Sequence, residues 1–135
     1  DRYVPLAILP VWDISATVAE AERVAAKGAR TVSFPDSPVP LGLPSFHSDP
    51  WDPLWQVCSD AQMPVSLHFG SGSYVPGFSF SSMKPVPGEM AMPDAPFAVA
   101  ITLFSTNLMW TTVDLLFSGK LQKFPDLQIS LAEGG

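Results

Sequence analysis

Three side chains suited to proton or metal chemistry sit at the ends of apolar runs or in the loops beside them: His47, His68 and Glu133. His68 closes the run "PVSLHFG" at 64–70, and a stretch of Ser, Gly and Pro opens directly after it. Glu133 follows "LQISLA" at 127–132, and His47 lies in the Pro- and Gly-rich segment 36–50. A catalytic zinc takes three protein ligands and a water. Two histidines and one glutamate from three strand ends reach that count, although no pair stands at H-x-H or helical spacing. Ser71 and Ser73 flank glycine, but no G-x-S-x-G elbow surrounds them. "GSG" at 70–72 could face a phosphate, yet neither a P-loop nor a G-x-G-x-x-G pattern follows. The single cysteine, Cys58, has no internal disulfide partner. It reads as a small core residue in a reducing, cytoplasmic setting.

Positioning such groups requires a rigid frame, and the chain alternates strand and helix signals. "YVPLAIL" at 3–9 predicts a strand, weakened by Pro5, which donates no ladder hydrogen bond. Asp13 can cap a helix in which Ile14, Val18, Ala21 and Ala25 recur at helical spacing, and Gly28 stops it. A second strand covers 30–34. Asp52-Pro53 reads as a helix start, a capping carboxylate and then a proline, with Leu54, Val57, Cys58 and Ala61 as the inner stripe. The third strand is 65–69. Residues 70–96 read as a long irregular stretch holding Tyr74, Phe78 and Phe80, of a length that usually signals function. An apolar helix covered on more than one side is expected after Pro96, ended by Gly119. "KLQKF" reads as a turn and 127–132 as the last strand. Trp12, Trp55 and Trp110 are expected in packing, and Trp51 facing substrate. This alternation predicts an α/β fold of parallel strands joined by right-handed crossovers. In such sheets binding groups gather at the carboxyl ends of strands, where His68 and Glu133 lie.

The 135 residues suffice for one domain with a core, and they are 47% hydrophobic and 15% charged. Ordinary soluble domains carry about 25% charge, so the segments are well buried. A net charge of −6 with seven Lys and Arg leaves no basic stripe for nucleic acid or for an anionic membrane. Phe97 to Phe117 is long enough to cross a bilayer. However, Asn107 and Asp114 interrupt it and no cationic cluster flanks it, so a buried soluble helix is expected. The start of the chain shows no signal peptide.

Three stretches, "LAILPVWDISATVAEAERVAAKGARTVSFP", "WDPLWQVCSDAQMPVSLHFG" and "LLFSGKLQKFPDLQISLAEGG", resemble the amidohydrolase-related metal-dependent hydrolases. Within them the chain resembles the branch containing aminocarboxymuconate-semialdehyde decarboxylase and related decarboxylases. The resemblance covers nearly the whole chain and is most specific at F-S-G-x-L-x-x-F-P-D-L and at the Pro-x-x-x-His strand. It implies a partial (β/α)8 TIM barrel, of which these four strands match the third to sixth. A full barrel needs about 250 residues. The family's first strand, with its H-x-H, and its last, with an aspartate, have no counterpart here, so the chain is expected to be the middle of a longer protein and inactive alone.

Carried over by this resemblance, His68 matches a metal ligand for Zn²⁺ or another divalent ion. Glu133 stands where many relatives have a histidine that handles a proton or orients water, a departure from the pattern. His47, in a loop expected to border the pocket, is a further catalytic candidate. Asp36, Trp51 and Tyr74 are expected to border a small carboxylate substrate. The implied activity is metal-dependent hydrolysis or decarboxylation. The alternative is a catalytically incomplete fragment or non-enzymatic binding module of the same fold. Open edges at the outer strands 3–9 and 127–132 predict a homo-oligomer.

Overall fold

A computed structural model describes residues 2–72, 78–79, 84–85 and 106–133. Tyr74, most of the loop it belongs to and the part of the expected apolar helix before Thr106 lie outside them. Strand β1 (Ala7–Ile8) leads to helix α1 (Ile14–Ala26), strand β2 (Val32–Pro35), helix α2 (Asp52–Asp60) and strand β3 (Val65–His68). A two-residue antiparallel ladder joins β4 (Phe78–Ser79) and β5 (Lys84–Pro85). Helix α3 (Thr106–Phe117), the single turn α4 (Lys120–Lys123) and strand β6 (Ile129–Ala132) complete the order.

The main sheet runs β1-β2-β3-β6, parallel throughout, as the strand-helix alternation requires. Its register pairs Pro35 with His68 and His68 with Ala132, which aligns the carboxyl ends of three strands. β1 is much shorter than the predicted 3–9. It is an edge strand, and Pro5 has no amide proton to extend its ladder.

Successive strand residues point to opposite faces of a sheet. Val32, Phe34, Val65 and Leu67 therefore share the helix side and are fully buried. Phe34 is the hub of that side, with edge-on contacts to Trp51 at 4.8 Å and Trp55 at 5.0 Å between ring centres. Ser33, Ser66, His68 and Ser130 occupy the opposite face.

Asp13 caps α1 as expected, its Oδ1 accepting from the Ala16 amide at 2.9 Å. Gly28 follows that helix at φ +82°, where a side chain is strained. Asp52 does not cap α2. A 3-10 turn over Asp49–Trp51 leads into the helix, and the Asp52 carboxylate turns instead to Lys120 and Lys123. The buried stripe of α2 is Leu54, Trp55, Cys58 and Ser59, rotated from the predicted one by the packing of Trp55 on Phe34. Burial pushes the Cys58 thiol up to about 12, so it stays protonated and inert.

Two expectations about packing fail. Trp12 and Trp110 are exposed, at 80% and 75%. Helix α3 is also bare at Met109, Val113, Leu116 and Phe117, so it is covered on one side only, the side of Leu108, Thr111 and Leu115. Among the described residues no strand pairs with the outer side of β1 or β6, and no described element lies over these side chains. Among the described residues no helix is long and apolar enough to cross a membrane.

Candidate active site

Two candidates meet at the carboxyl edge of the sheet. His68 ends β3 and Glu133 follows β6, its neighbour, with His68 Nε2 3.8 Å from Glu133 Oε2. Both side chains are more than half exposed, at 51% and 64%. Glu133 has φ +61°, an unusual conformation for a residue with a side chain.

The imidazole is held from behind. His68 Nδ1 lies 2.9 Å from the Phe69 carbonyl oxygen. A carbonyl only accepts, so Nδ1 carries a proton, and in the neutral imidazole Nε2 is then the nitrogen with the free lone pair. The Phe69 ring also stacks on the imidazole at 5.1 Å and 24°. Metal-binding histidines almost always have their second nitrogen tied in this way. The donor chemistry thus fits a divalent ion. Among the described residues no group of three or more His, Cys, Asp or Glu gathers; at the sheet's carboxyl edge His68 and Glu133 are the pair brought together.

Asp36, expected to touch substrate, has no exposed surface. Its Oδ2 accepts from the Gly70 amide at 2.7 Å and its Oδ1 from the Gly72 amide at 2.6 Å. Ser71 Oγ accepts from the Asp36 amide at 2.9 Å and donates to the His68 carbonyl at 2.6 Å. Thr111 on α3 donates to the Asp36 carbonyl at 2.9 Å. Asp36 thus holds the loop after β3 in place of contacting solvent.

The same loop explains Gly72. A Cβ there would collide with the Ser37 carbonyl oxygen and lie 2.8 Å from the Ser37 nitrogen. Both are backbone atoms that cannot rotate aside. Gly72→Ala is expected to destabilise the protein by about 1–3 kcal/mol, the usual cost of overpacking. An unchanged melting temperature would refute this close approach.

Trp51 is not a pocket wall. It is fully buried against Phe34, and its indole N–H donates to the Pro44 carbonyl at 2.8 Å. His47 pairs with Asp114 of α3 at 2.6 Å, tying the β2–α2 loop to that helix. No described contact joins it to His68 or Glu133. The sequence reading missed Asp114 as its partner and the Phe69 carbonyl as the anchor of His68. The first had no local signal, and the second follows from a strand ending in His-Phe-Gly.

A four-stranded parallel βα sheet in sequential order, with polar side chains gathered at its carboxyl edge, matches a segment of a TIM barrel. The chain belongs to the amidohydrolase family, which it matches over residues 1–135. Solved structures agree on the fold. An amidohydrolase from Mycobacterium avium subsp. paratuberculosis K-10 superimposes with a TM-score of 0.67 and 23% identity, covering 95% of this chain and 31% of that one. A structure from Staphylococcus aureus, described as an amidohydrolase, gives 0.59 and 18%, covering 91% and 38%. The chain therefore spans about a third of the length of these relatives. No curated protein matches it.

Proposed function

We propose that the intact protein is a metal-dependent hydrolase acting on a small carboxylate substrate, with decarboxylation of such a substrate as the nearest variant chemistry. The observation that carries this reading is the approach of His68 Nε2 to Glu133 Oε2 at the sheet's carboxyl edge, with Nδ1 anchored. His68 would hold the ion through Nε2. Glu133 would serve as a second ligand or as a base, and a catalytic ion's remaining ligands would come from beyond the described residues. A bound zinc supplies Lewis acidity, bringing a coordinated water to a pKa of about 7. The exposed Glu133 carboxylate can accept a proton from a water or a substrate group at this edge.

Glu133→Gln in the intact protein tests that role. The amide keeps the shape but cannot take a proton. As a general base, Glu133 is expected to account for about 10²–10⁴-fold in kcat, with metal content unchanged. Loss of metal together with rate would make Glu133 a ligand. Full rate with full metal would remove it from the mechanism.

A further inference from the structure

Gly70 N–H and the Phe69 carbonyl belong to one peptide group. At one end, that group donates to Asp36 Oδ2 at 2.7 Å; at the other, it accepts from His68 Nδ1 at 2.9 Å. From this geometry we infer that Asp36 is a positioning residue for His68, acting through the 69–70 peptide to keep the imidazole in its Nδ1–H tautomer.

The physical basis is the planarity and polarisability of the peptide. C=O and N–H point in opposite directions across a trans peptide. A carboxylate bound at the N–H therefore fixes the carbonyl's direction from behind. A charge-assisted bond at the N–H also shifts electron density to the oxygen, and chained hydrogen bonds strengthen one another. The Phe69 oxygen becomes a better acceptor for a proton on Nδ1 than an ordinary loop carbonyl.

Asp36 is suited to that task. It is fully buried one residue beyond β2, whose Pro35 pairs with His68, so the carboxylate starts from a fixed point of the sheet. Its other oxygen holds Gly72 N, and Ser71 bridges its amide to the His68 carbonyl. Gly70 adopts φ +72°, which turns the chain on toward Gly72 while its N–H meets the carboxylate, a conformation that other residues reach only with strain. Metal sites commonly use a carboxylate bound directly to the ligating histidine. Here one peptide group is interposed.

The tautomer can be read without metal. With ¹⁵N-labelled histidine in the intact, metal-free protein, at alkaline pH where imidazoles are neutral, the two ring nitrogens report which carries the proton. The His68 signals are assigned by their loss in His68→Gln. The wild type is expected to show Nδ1–H alone. Asp36→Asn is expected to give a mixture of tautomers, because its amide cannot accept from both Gly70 and Gly72 as the carboxylate does. Ser71→Ala loosens the same turn but leaves the carboxylate on Gly70, and is expected to keep the single tautomer. A wild-type His68 protonated at Nε2 overturns the proposal, whether or not Asp36→Asn folds. So does an Asp36→Asn protein that retains Nδ1–H alone, or a Ser71→Ala protein that loses it.

Zinc titration forms a second arm, which rests on the reading of His68 as a ligand. There Asp36→Asn is expected to weaken binding by about 10–100-fold, as changes behind a ligand do. A wild type that binds no zinc but shows the single tautomer would defeat the ligand reading and leave the Asp36 relay standing.

Discussion

Replacing His68 by alanine is expected to remove metal and activity from the intact protein together, with little change in folding. The imidazole is about half exposed and contributes no core packing, so its loss should move stability by no more than about 0.5 kcal/mol. Its chemical contribution is larger. His68 ends β3 with Nε2 turned to Glu133 and Nδ1 tied to the Phe69 carbonyl, a rigid donor at the sheet edge. Removing a ligand should cost at least the 10–100-fold in metal affinity, roughly, that follows from changes behind a ligand. Turnover should fall to background, and excess zinc should restore only part of it. Zinc by elemental analysis, a melting curve and a rate on one preparation decide the matter. A variant with full metal and full rate would end the metal-enzyme reading of this segment. A variant that merely melts earlier would make His68 a structural residue.

The largest expected loss of stability lies far from that chemistry, at Lys120. Its side chain is 4% exposed, and Nζ donates to Asp49 Oδ1 at 2.9 Å and to Asp52 Oδ1 at 2.6 Å. These bonds fasten α4 to the start of α2. Burial alone would pull the Lys120 ammonium down. Hydrogen bonds and charge from Asp52 and Asp49 outweigh it and hold the group above the usual lysine value of 10.5. For Asp52, burial pushes upward, and Lys120 and Lys123 outweigh it, leaving the carboxyl below its ordinary 3.8.

Lys120→Met should cost about 3 kcal/mol, because it leaves the Asp52 carboxylate sheltered with only Lys123 beside it. Adding Asp52→Asn should recover part of that loss, since no uncompensated charge then remains. The pH dependence follows from the two shifts. Asp52 has a lowered folded value, so its contribution is present above 3.8 and lost as pH falls through that folded value. Lys120 has a raised one, so its contribution is present below 10.5 and lost as pH rises through its folded value. The difference between wild type and variant should be flat between 3.8 and 10.5 and shrink outside that window. Urea midpoints across pH measure it. A Lys120→Met effect no larger than that of the exposed Lys123→Met would show that the buried network contributes little.

Much of this was legible locally. The apolar spacing of α1, the Asp13 cap and the Gly28 stop are short-range signals, and each appears where the residues placed it. So do the parallel order of the strands and the meeting of His68 with Glu133. Strand-helix alternation makes neighbouring strands parallel, and parallel strands end at the same edge.

Residue type and spacing thus determined the layers, the parallel pairing of the strands and the edge at which chemistry can gather. They could not determine which side chains face that edge. Asp36 and Trp51 lie in or beside a pocket-bordering loop, yet one is consumed by the amides of Gly70 and Gly72 and the other by the ring of Phe34. Those partners are distant in sequence, and only the folded sheet brings them within reach. Lys120 was hidden for the same reason, since a lysine in a short turn reads as solvated until two aspartates, one from α2 and one from the turn before it, close over it. Hydrophobic spacing likewise marks Trp12 and Trp110 as sticky without saying what covers them. Burial belongs to pairs of elements, and in this segment the elements that would lie over those two rings are not among its described residues.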